Sequence, residues 1–433
     1  TNGKSTTTWL IQQVLSRLGR HCGWLGTIQY SDGIVTAPAA LTTPDSRTMA
    51  SWLGRMVARG TQYAALELSS HALAQQRAAG LQLDVAVITN VTRDHLDYHP
   101  HQAAYREAKA RIIELLKPQG ALVYNGDDPG AVATATLAGE LRPDVPQLAF
   151  SLLRAAELTG RVLSESLQGT TLEIRHTGGE VAQLETPLCG QHNAENLLAA
   201  AAALRQLGLS LSEISAALSH CPAPPGRLQR VSGAAGSEDT DFEVFVDYAH
   251  TPDAIEKAIA AVEAIRRVIS TVRQLSFGRV IVVLGAGGDR DRQKRPEMGA
   301  AAAAADLIYI TSDNPRSEDP QQIAEELRSG IPSQITICCI ELDRRTAIQA
   351  AIGAAQAGDV VLVLGKGHER EQIIGRTPFP FDDVWECCVA TRSRHTPGRK
   401  SPPRRFRREE TGLSRRRSPL SLPSPCCQCL SNR

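Results

Sequence analysis

No apolar run in the 433 residues approaches the ~20 that a membrane-spanning helix needs, and no secretory leader is expected. The chain also lacks an excess of charge of either sign: 47 Lys and Arg stand against 46 Asp and Glu, a formal net charge of +1. That balance argues against a whole-protein surface for nucleic acid or membrane. Ten cysteines are present, yet they lack the paired spacing of a metal site. Cys387, Cys388, Cys426, Cys427 and Cys429 crowd the C-terminal end, and the rest are scattered like small core residues of a reducing compartment. A soluble, cytoplasmic, monomeric protein is expected. The length exceeds what one compact domain usually holds, so two or more are expected.

What is present begins at the first residue. TNGKSTTT contains the closing G-K-[ST] of a phosphate-binding loop, although the glycine that opens such a loop would fall before Thr1. A G-K-S tripeptide alone also occurs by chance. Here TTTWLIQQVLSRLG follows, with Leu10, Ile11, Val14, Leu15 and Leu18 at helical spacing and Gly19 placed to end the helix. Backbone N–H groups at a helix N-terminus form an anion site, which Lys4 would complete by reaching the β/γ-phosphates while Ser5 bound Mg²⁺.

The chain divides into three. Over 1–222, short apolar strands such as YAALEL and VAVITNV alternate with Ala-rich helices, the pattern of a parallel sheet covered on both faces; RVLSESLQGTTLEIRH suggests a small β insertion. PAPPGR breaks the pattern, and over 223–384 a second α/β unit runs through FEVFVDYAH, RVIVVLGAGG, LIYITSD and DVVLVLGKG. Each strand runs into a polar loop, and in open α/β sheets ligands collect at those strand ends. Residues 385–433 are rich in Arg, Ser and Pro without apolar periodicity and read as disordered, either a basic arm or the product of a shifted reading frame.

Glu67 ends the strand YAALEL and His95 follows VAVITNV, at the tips of what read as neighbouring strands near the phosphate loop. Carboxylate and neutral imidazole suit Mg²⁺ beside Ser5. Taken singly, Glu67 could cap a helix and His95 could be a turn residue.

TNGKSTTT, LTTP (41–44), ELSSHALAQQR (67–77), NVTRDHLDYH (90–99), YREAK (105–109), GQHNAENLLAA (190–200), PPGR (224–227), VDYAHTPDA (246–254), GAGGDRDRQKRP (285–296), SDNPRSEDP (312–320) and GKGHE (365–369) together resemble the Mur ligase family. Within it they are most similar to the branch that joins meso-diaminopimelate to UDP-N-acetylmuramoyl-L-alanyl-D-glutamate (UDP-MurNAc-L-Ala-D-Glu). The resemblance implies an α/β fold: a central P-loop-type parallel-sheet ATPase domain with a small β insertion, followed by a Rossmann-like C-terminal domain. It implies ATP-dependent amide formation in peptidoglycan precursor synthesis, with ATP as substrate, Mg²⁺ as cofactor and an acyl-phosphate intermediate.

The resemblance also assigns residues. Thr1, Asn2, Gly3, Lys4, Ser5, Thr6, His192, Asn193, Arg227 and Asp247 match ATP contacts, although the Gln-His-Asn run could equally be an N-cap before its helix. Thr42, Thr43, Ser69, Gln75 and Arg77 match positions that hold the muramoyl-dipeptide. Arg290, Asp313, Asn314, Pro315, Arg316, Gly365 and Glu369 match contacts to diaminopimelate. Arg316 is the position that lysine-adding members lack; its planar fork suits the distal carboxylate that lysine does not carry. Lys4, Glu67, His95 and Lys109 match catalytic positions, and Ser5, Glu67, His95 and Lys109 the metal set. Lys109 corresponds to a lysine carried as N6-carboxylysine. Like charges ~4 Å apart cost about 4 kcal/mol at an effective dielectric of 20, so an ammonium beside a divalent ion is disfavoured by roughly twice that, whereas a carbamate offers an oxygen.

Two departures stand out. The front of the phosphate loop and the family's uridine-binding domain are missing, so weak binding of ATP and of the UDP substrate is expected, and the last helix of the second unit reads as replaced by the Arg-rich tail. The alternatives are a folylpolyglutamate synthase-like ligase, against which DNPR and LTTP speak, and an inactive fragment that only binds cell-wall precursors.

Overall fold

The computed structural model describes residues 1–95, 98–166, 169–231, 242–273, 278–332 and 337–395. The first half alternates helix and strand: α1 (Lys4–Arg17), β1 (Cys22–Leu25), β2 (Gln29–Ser31), β3 (Thr36–Pro38), α2 (Ser46–Ala58), β4 (Tyr63–Leu66), α3 (Ser70–Ala74), β5 (Leu83–Ile88), α4 (Gln102–Ala110), β6 (Leu116–Asn125), α5 (Pro129–Leu141), β7 (Gln147–Ser151), β8 (Leu158–Ser166), β9 (Gly169–His176), β10 (Val181–Thr186), α6 (Gln191–Gln206) and α7 (Leu211–Leu218). Helix starts follow the capping residues. Asp45, Ser69, Asp128 and Ser210 each accept a hydrogen bond from a first-turn N–H, and Ser210 with Glu213 closes a capping box.

The strands form two sheets, ordered β3-β2-β1-β4 and β10-β9-β8-β7-β6-β5. β4 and β5 are therefore not neighbours, contrary to the expectation drawn from their order in the chain. Each is the edge of its own sheet, and a cavity of about 1050 Å³ lies between them, lined also by Thr7, Thr8, Ile11 and Leu15 of α1. Chain order cannot reveal this, because it does not say whether two facing edges close into one hydrogen-bonded ladder. β8, β9 and β10 form the expected antiparallel insertion, joined to β7 as a continuation of the second sheet. α6 is apolar almost all round: Ala194 and Leu197–Leu204 are buried, as a helix enclosed by α1, α7 and the sheet requires. The approach is close, since a Cβ at Gly160 of β8 would come within 2.7 Å of Leu198.

The second half contains β11 (Gln229–Arg230), β12 (Glu243–Asp247), α8 (Pro252–Arg273), β13 (Val280–Leu284), α9 (Lys294–Ala302), β14 (Leu307–Ile310), α10 (Pro320–Ser329), β15 (Ile337–Ile340), α11 (Arg344–Ala354), β16 (Val360–Leu364), β17 (Glu371–Ile374), β18 (Thr377–Pro380) and α12 (Asp383–His395). Its main sheet is ordered β11-β12-β16-β13-β14-β15 and is parallel apart from β11. Alternate strand residues feed two cores. Val280, Val282 and Leu284 pack with α8, α9 and α10, and Ile281 and Val283 with α11 and α12, which is the doubly wound, Rossmann-like arrangement expected.

One boundary needs correction. The sequence reads as disordered from Trp385, but α12 continues to His395 and buries Cys387 and Ala390. Its apolar face is narrow, which hid the periodicity, and ion pairs hold it instead. Arg344 and Asp383, both enclosed, meet through bonds of 2.8 and 2.7 Å, and Arg345 grips Glu386 at 2.9 Å through both nitrogens. The remainder of that segment, 396–433, lies outside the described residues. Removing one partner of an enclosed pair strands the other charge, so Arg344→Ala should destabilise the protein by ~3–5 kcal/mol, whereas joint replacement by Met and Leu should recover much of the loss. Urea unfolding of the three forms measures this, and equal stability of single and double variants would contradict it.

Candidate active site

Gly3 adopts φ 80°, a left-handed turn, and a Cβ there would lie 2.2 Å from Asn196 Oδ1. Both facts demand glycine. The turn opens α1 at Lys4, so the first-turn N–H groups of Lys4, Ser5 and Thr6 have no partner within the helix. The loop is tied to the end of β5: Asn2 N–H donates to Asn90 Oδ1 (2.7 Å), Thr89 Oγ1 donates to Asn2 O (2.6 Å), and Thr1 Oγ1 accepts from Thr92 N–H (3.0 Å). Lys4 Nζ donates to the Thr1 carbonyl, and desolvation holds its ammonium below the usual lysine range.

Glu67 is 1% exposed, and its carboxylate accepts from Ser5 Oγ (2.8 Å), Thr27 Oγ1 (2.8 Å) and Thr27 N–H (2.9 Å). Glu67 therefore caps no helix; it is the acceptor at the centre of a hydroxyl cluster. Lys109, on α4, sits with Nζ 4.7 Å from the Tyr105 ring centroid. Desolvation, aided by Lys4, lowers its pKa to about 7, leaving a large share of free amine at neutral pH. His95 takes φ 55° with Nε2 3.4 Å from Asp94 Oδ2; desolvation lowers it to about 4 against the pull of Asp94, so it is a neutral imidazole. Lys4 and Lys109 both act on His95, and Glu67 acts on Lys4, so these groups share one electrostatic neighbourhood. Among the described residues no three His, Cys, Asp or Glu side chains group to hold a metal ion. The hydroxyl and enclosed carboxylate that do meet, Ser5 and Glu67, are hard oxygen donors and fit Mg²⁺.

Thr42, Thr43, Ser69, Gln75 and Arg77 form one patch beside Glu67. Thr43 Oγ1 donates to the Glu67 carbonyl (2.7 Å) and accepts from Ser69 N–H (2.9 Å). Arg77 donates to the Thr43 carbonyl (3.1 Å) and to Gln75 Oε1 (2.6 and 2.8 Å), and Thr42 meets Thr27 Oγ1 at 3.1 Å.

Gln191, His192 and Asn193 are not a cap, since Gly190 occupies the N-cap position without a side-chain bond and the three residues form the first turn of α6. Asn193 Nδ2 donates back to the Cys189 carbonyl (2.8 Å). His192 is lowered to about 4 by desolvation and by Lys257 on α8, near Asp253, which accepts from Asn2 Nδ2 (2.6 Å). Arg227 spans the junction, its guanidinium 4.4 Å from the Tyr248 ring centroid and Nη2 donating to Ser5 Oγ (3.0 Å). Burial raises the Asp247 carboxyl, whose oxygens accept the Leu228 and Ala249 N–H groups. Sequence reasoning missed His250 and His368, neutral imidazoles at about 4 and about 3 through desolvation, with rings 4.6 and 5.1 Å from Tyr248. It also missed His71, 4.7 Å from His95 ring to ring. All three lie inside quoted motifs, so the signal was present without a chemical reason to single them out.

The remaining residues gather at the C-terminal ends of β13, β14 and β16. Asp313, Asn314 and Pro315 are buried, Arg316 is half-buried at φ 49°, and Arg290 is exposed. Arg316 Nη1 donates to the Gly288 carbonyl (2.8 Å), and Arg290 and Arg316 both flank Gly287. Asn314 Nδ2 donates to Glu369 Oε2 (2.8 Å), while Gly365 at φ 111° lets the loop pass Asp313. Two more residues were missed. Arg295, wholly enclosed, ties Glu318, Glu326 and the Gly287 carbonyl together, and Lys366 lies beneath Asn314 and Glu369.

A family model described as Mur ligase middle domain matches residues 1–204, and another, Mur ligase, glutamate ligase domain, matches residues 226–367. The UDP-N-acetylmuramoyl-L-alanyl-D-glutamate–2,6-diaminopimelate ligase of Geobacillus kaustophilus is 41% identical over 391 residues, 88% of this chain and 76% of that protein. The protein of the same name from Gloeobacter violaceus is 40% identical over 402 residues, 92% of this chain and 77% of that one. A solved structure of a ligase with this name is 36% identical, covers 92% of this chain and 77% of its own, and superposes with a TM-score of 0.60. E. coli FolC in complex with DHPP and ADP, 20% identical over 92% of this chain and 88% of its own with a TM-score of 0.62, is alike in fold alone. On the strength of relatives that share two-fifths of their residues over most of both chains, this protein belongs to the Mur ligase family.

Proposed function

We propose that the protein joins meso-diaminopimelate to UDP-MurNAc-L-Ala-D-Glu at the expense of ATP, in the cytoplasmic synthesis of peptidoglycan precursor. The observation that carries the reading is the 3.0 Å bond from Arg227 to Ser5 Oγ, which brings the phosphate-loop end of one α/β unit against the loop end of the other. A carboxylate is a poor electrophile until one oxygen leaves easily, and phosphoryl transfer is catalysed mainly by positioning and by cations. The γ-carboxylate of D-glutamate takes the γ-phosphoryl group of ATP, giving an acyl phosphate and ADP. The amine then attacks the acyl carbon, forming the amide and releasing phosphate and a proton.

Each group of residues has a part. Thr1 to Thr6 surround the phosphates, with Lys4 supplying a charge and the free N–H groups of α1 supplying donors. Ser5, Glu67, neutral His95 and carbamylated Lys109 would hold Mg²⁺, which supplies charge neutralisation to the phosphates when bound. The amine form of Lys109 that desolvation favours is the form that adds CO₂. His192, Asn193, Arg227 and Asp247 orient the nucleotide at the junction. Thr42, Thr43, Ser69, Gln75 and Arg77 hold the dipeptide beside Glu67. Arg290, Asp313, Asn314, Pro315, Arg316, Gly365 and Glu369 hold the amino acid: the carboxylates take its ammonium and Arg316 its distal carboxylate.

Ligation is tested by supplying ATP, Mg²⁺, the UDP-linked dipeptide and meso-diaminopimelate and identifying the product by mass, with L-lysine and dihydrofolate as competitors; absence of an ATP-dependent adduct would overturn the reading. Lys109→Ala should abolish ligation, and short carboxylic acids should restore part of it by replacing the lost anion. Full activity of that variant without additives would remove the carbamate from the mechanism. Arg316→Ala should raise KM for diaminopimelate by ~10- to 150-fold, the worth of one charge-assisted bond, and leave KM for ATP near its starting value. The ratio of kcat/KM for diaminopimelate to that for lysine measures this directly, and an unaltered ratio would reduce Arg316 to a turn residue.

A further inference from the structure

Lys366 follows β16 in the Gly-Lys-Gly turn and is 0% exposed. A lysine so enclosed is unusual without partners, and here Nζ has three neighbours: Asn314 Oδ1 at 3.0 Å, Glu369 Oε2 at 3.0 Å and Asp313 Oδ1 at 3.6 Å. The consequence for Asn314 is directional. Its Oδ1 accepts from Lys366 and from Ile373 N–H (2.9 Å), while its Nδ2 donates to Glu369 Oε2 (2.8 Å). A flipped amide would turn its NH₂ toward the ammonium and the Ile373 N–H and its oxygen toward the carboxylate, replacing three attractions with three repulsions. Glu369 is fixed likewise, through Oε2, and among the described residues its Oε1 makes no hydrogen bond.

The charges leave a deficit of one cation. Asp313, Glu369 and Asp383 are three carboxylates served by two enclosed cations, Lys366 and Arg344, the latter paired with Asp383 while also acting on Asp313, and among the described residues Asp313 Oδ1 is buried without a hydrogen-bond partner. Lys366 cannot supply more, being wholly enclosed behind Asn314 and Glu369. We propose that Lys366 is a positioning residue for the amino-acid pocket: it locks the Asn314 amide and the Glu369 carboxylate in the orientation that receives an incoming ammonium, without touching the ligand. The role rests on the amino-acid reading of this pocket given above. It also separates two functions that carboxylates near a lysine could serve, because an ion pair that satisfied itself would leave nothing for the ligand. One lysine for two acids holds the receptor in shape and keeps it anionic.

Lys366→Met removes charge and donors, and Lys366→Gln removes the charge but keeps an NH₂ donor group; the second serves if the first does not fold. In protein carrying ¹³C-labelled glutamate, the Glu369 carboxyl signal is followed against pH, and binding of meso-diaminopimelate and of ATP is measured by calorimetry. Glu369 faces Asp313, Tyr248 and Lys366, and burial and Asp313 already push its carboxyl up. Loss of the only cation among these should move its midpoint further up. Affinity for the amino acid should fall roughly 10- to 100-fold, most at low pH where Glu369 is protonated, with ATP binding unchanged. Unaltered amino-acid affinity, an unmoved Glu369 midpoint, or equal losses for ATP and amino acid in a variant that melts early would each overturn the role. If the unaltered protein binds no diamino acid, the pocket reading itself fails, a result read separately from the variants.

Discussion

The carboxylate of Glu67 is the constraint around which the first half is arranged. A charge removed from water costs several kcal/mol unless donors replace the lost hydration, and Glu67 is almost wholly enclosed. Three donors from two segments converge on it, and its own backbone carbonyl accepts from Thr43. Ser5 is thereby held at the head of α1, Thr27 at the end of β1, and the Thr42–Thr43 turn against Ser69. Gly26 shows how tight the enclosure is: a Cβ there would stand 2.1 Å from Glu67 Oε1. The phosphate loop, the hydroxyl patch and the tip of β4 are thus oriented by one acid.

The second half joins this arrangement through side chains rather than sheet. Arg227 reaches Ser5, Asn2 reaches Asp253 and Arg93 reaches Glu297 across the junction. These polar contacts sit beside apolar ones, where Cys189 and Gly190 pack against α8, while the cores on either side are built from Ala, Val, Ile and Leu. Burial holds each unit together internally, whereas the hydrogen bonds across the junction involve groups that an anionic ligand's oxygens would also engage. Ser5 Oγ illustrates the exchange, because it serves both Glu67 and Arg227 and a ligand oxygen would compete for the same hydroxyl.

Legibility from sequence followed the physics of each feature. The doubly wound second half was readable because β13 and β16 are continuous apolar runs, five residues each and buried throughout, which fully covered parallel strands require. The turn that opens α1 was readable because glycine at that place answers a steric need. The separation of β4 from β5 was not, since periodicity reports burial and not which edges meet. Nor was α12, whose hold on the sheet is an enclosed Arg344–Asp383 pair that no local pattern announces. Lys366 and Arg295 escaped for the same reason: a charged residue in a sequence reads as exposed until its partners are in place.

The two ends of the site differ in sign, and that difference orders what each can take. Around the phosphate loop, Lys4, Lys109 and Arg227 stand close enough that Lys4 lowers Lys109 and Arg227 lowers Lys4, a collection of cations that is relieved by anions. Around Asp313 and Glu369 the balance is reversed: Asp313 raises the Glu369 carboxyl, and the pair is relieved by a cation. A polyphosphate and an ammonium would therefore each bring the charge their own end lacks, and exchanging them would place like against like. In a low-dielectric setting such juxtaposition costs several kcal/mol, so the distribution of fixed charge discriminates between ligands before any single hydrogen bond does. Lys366 lies enclosed against the acidic pair, while Arg316 and Arg290 flank Gly287 on the other side, so a ligand with an ammonium near one end and a carboxylate at the other would match that sequence of signs.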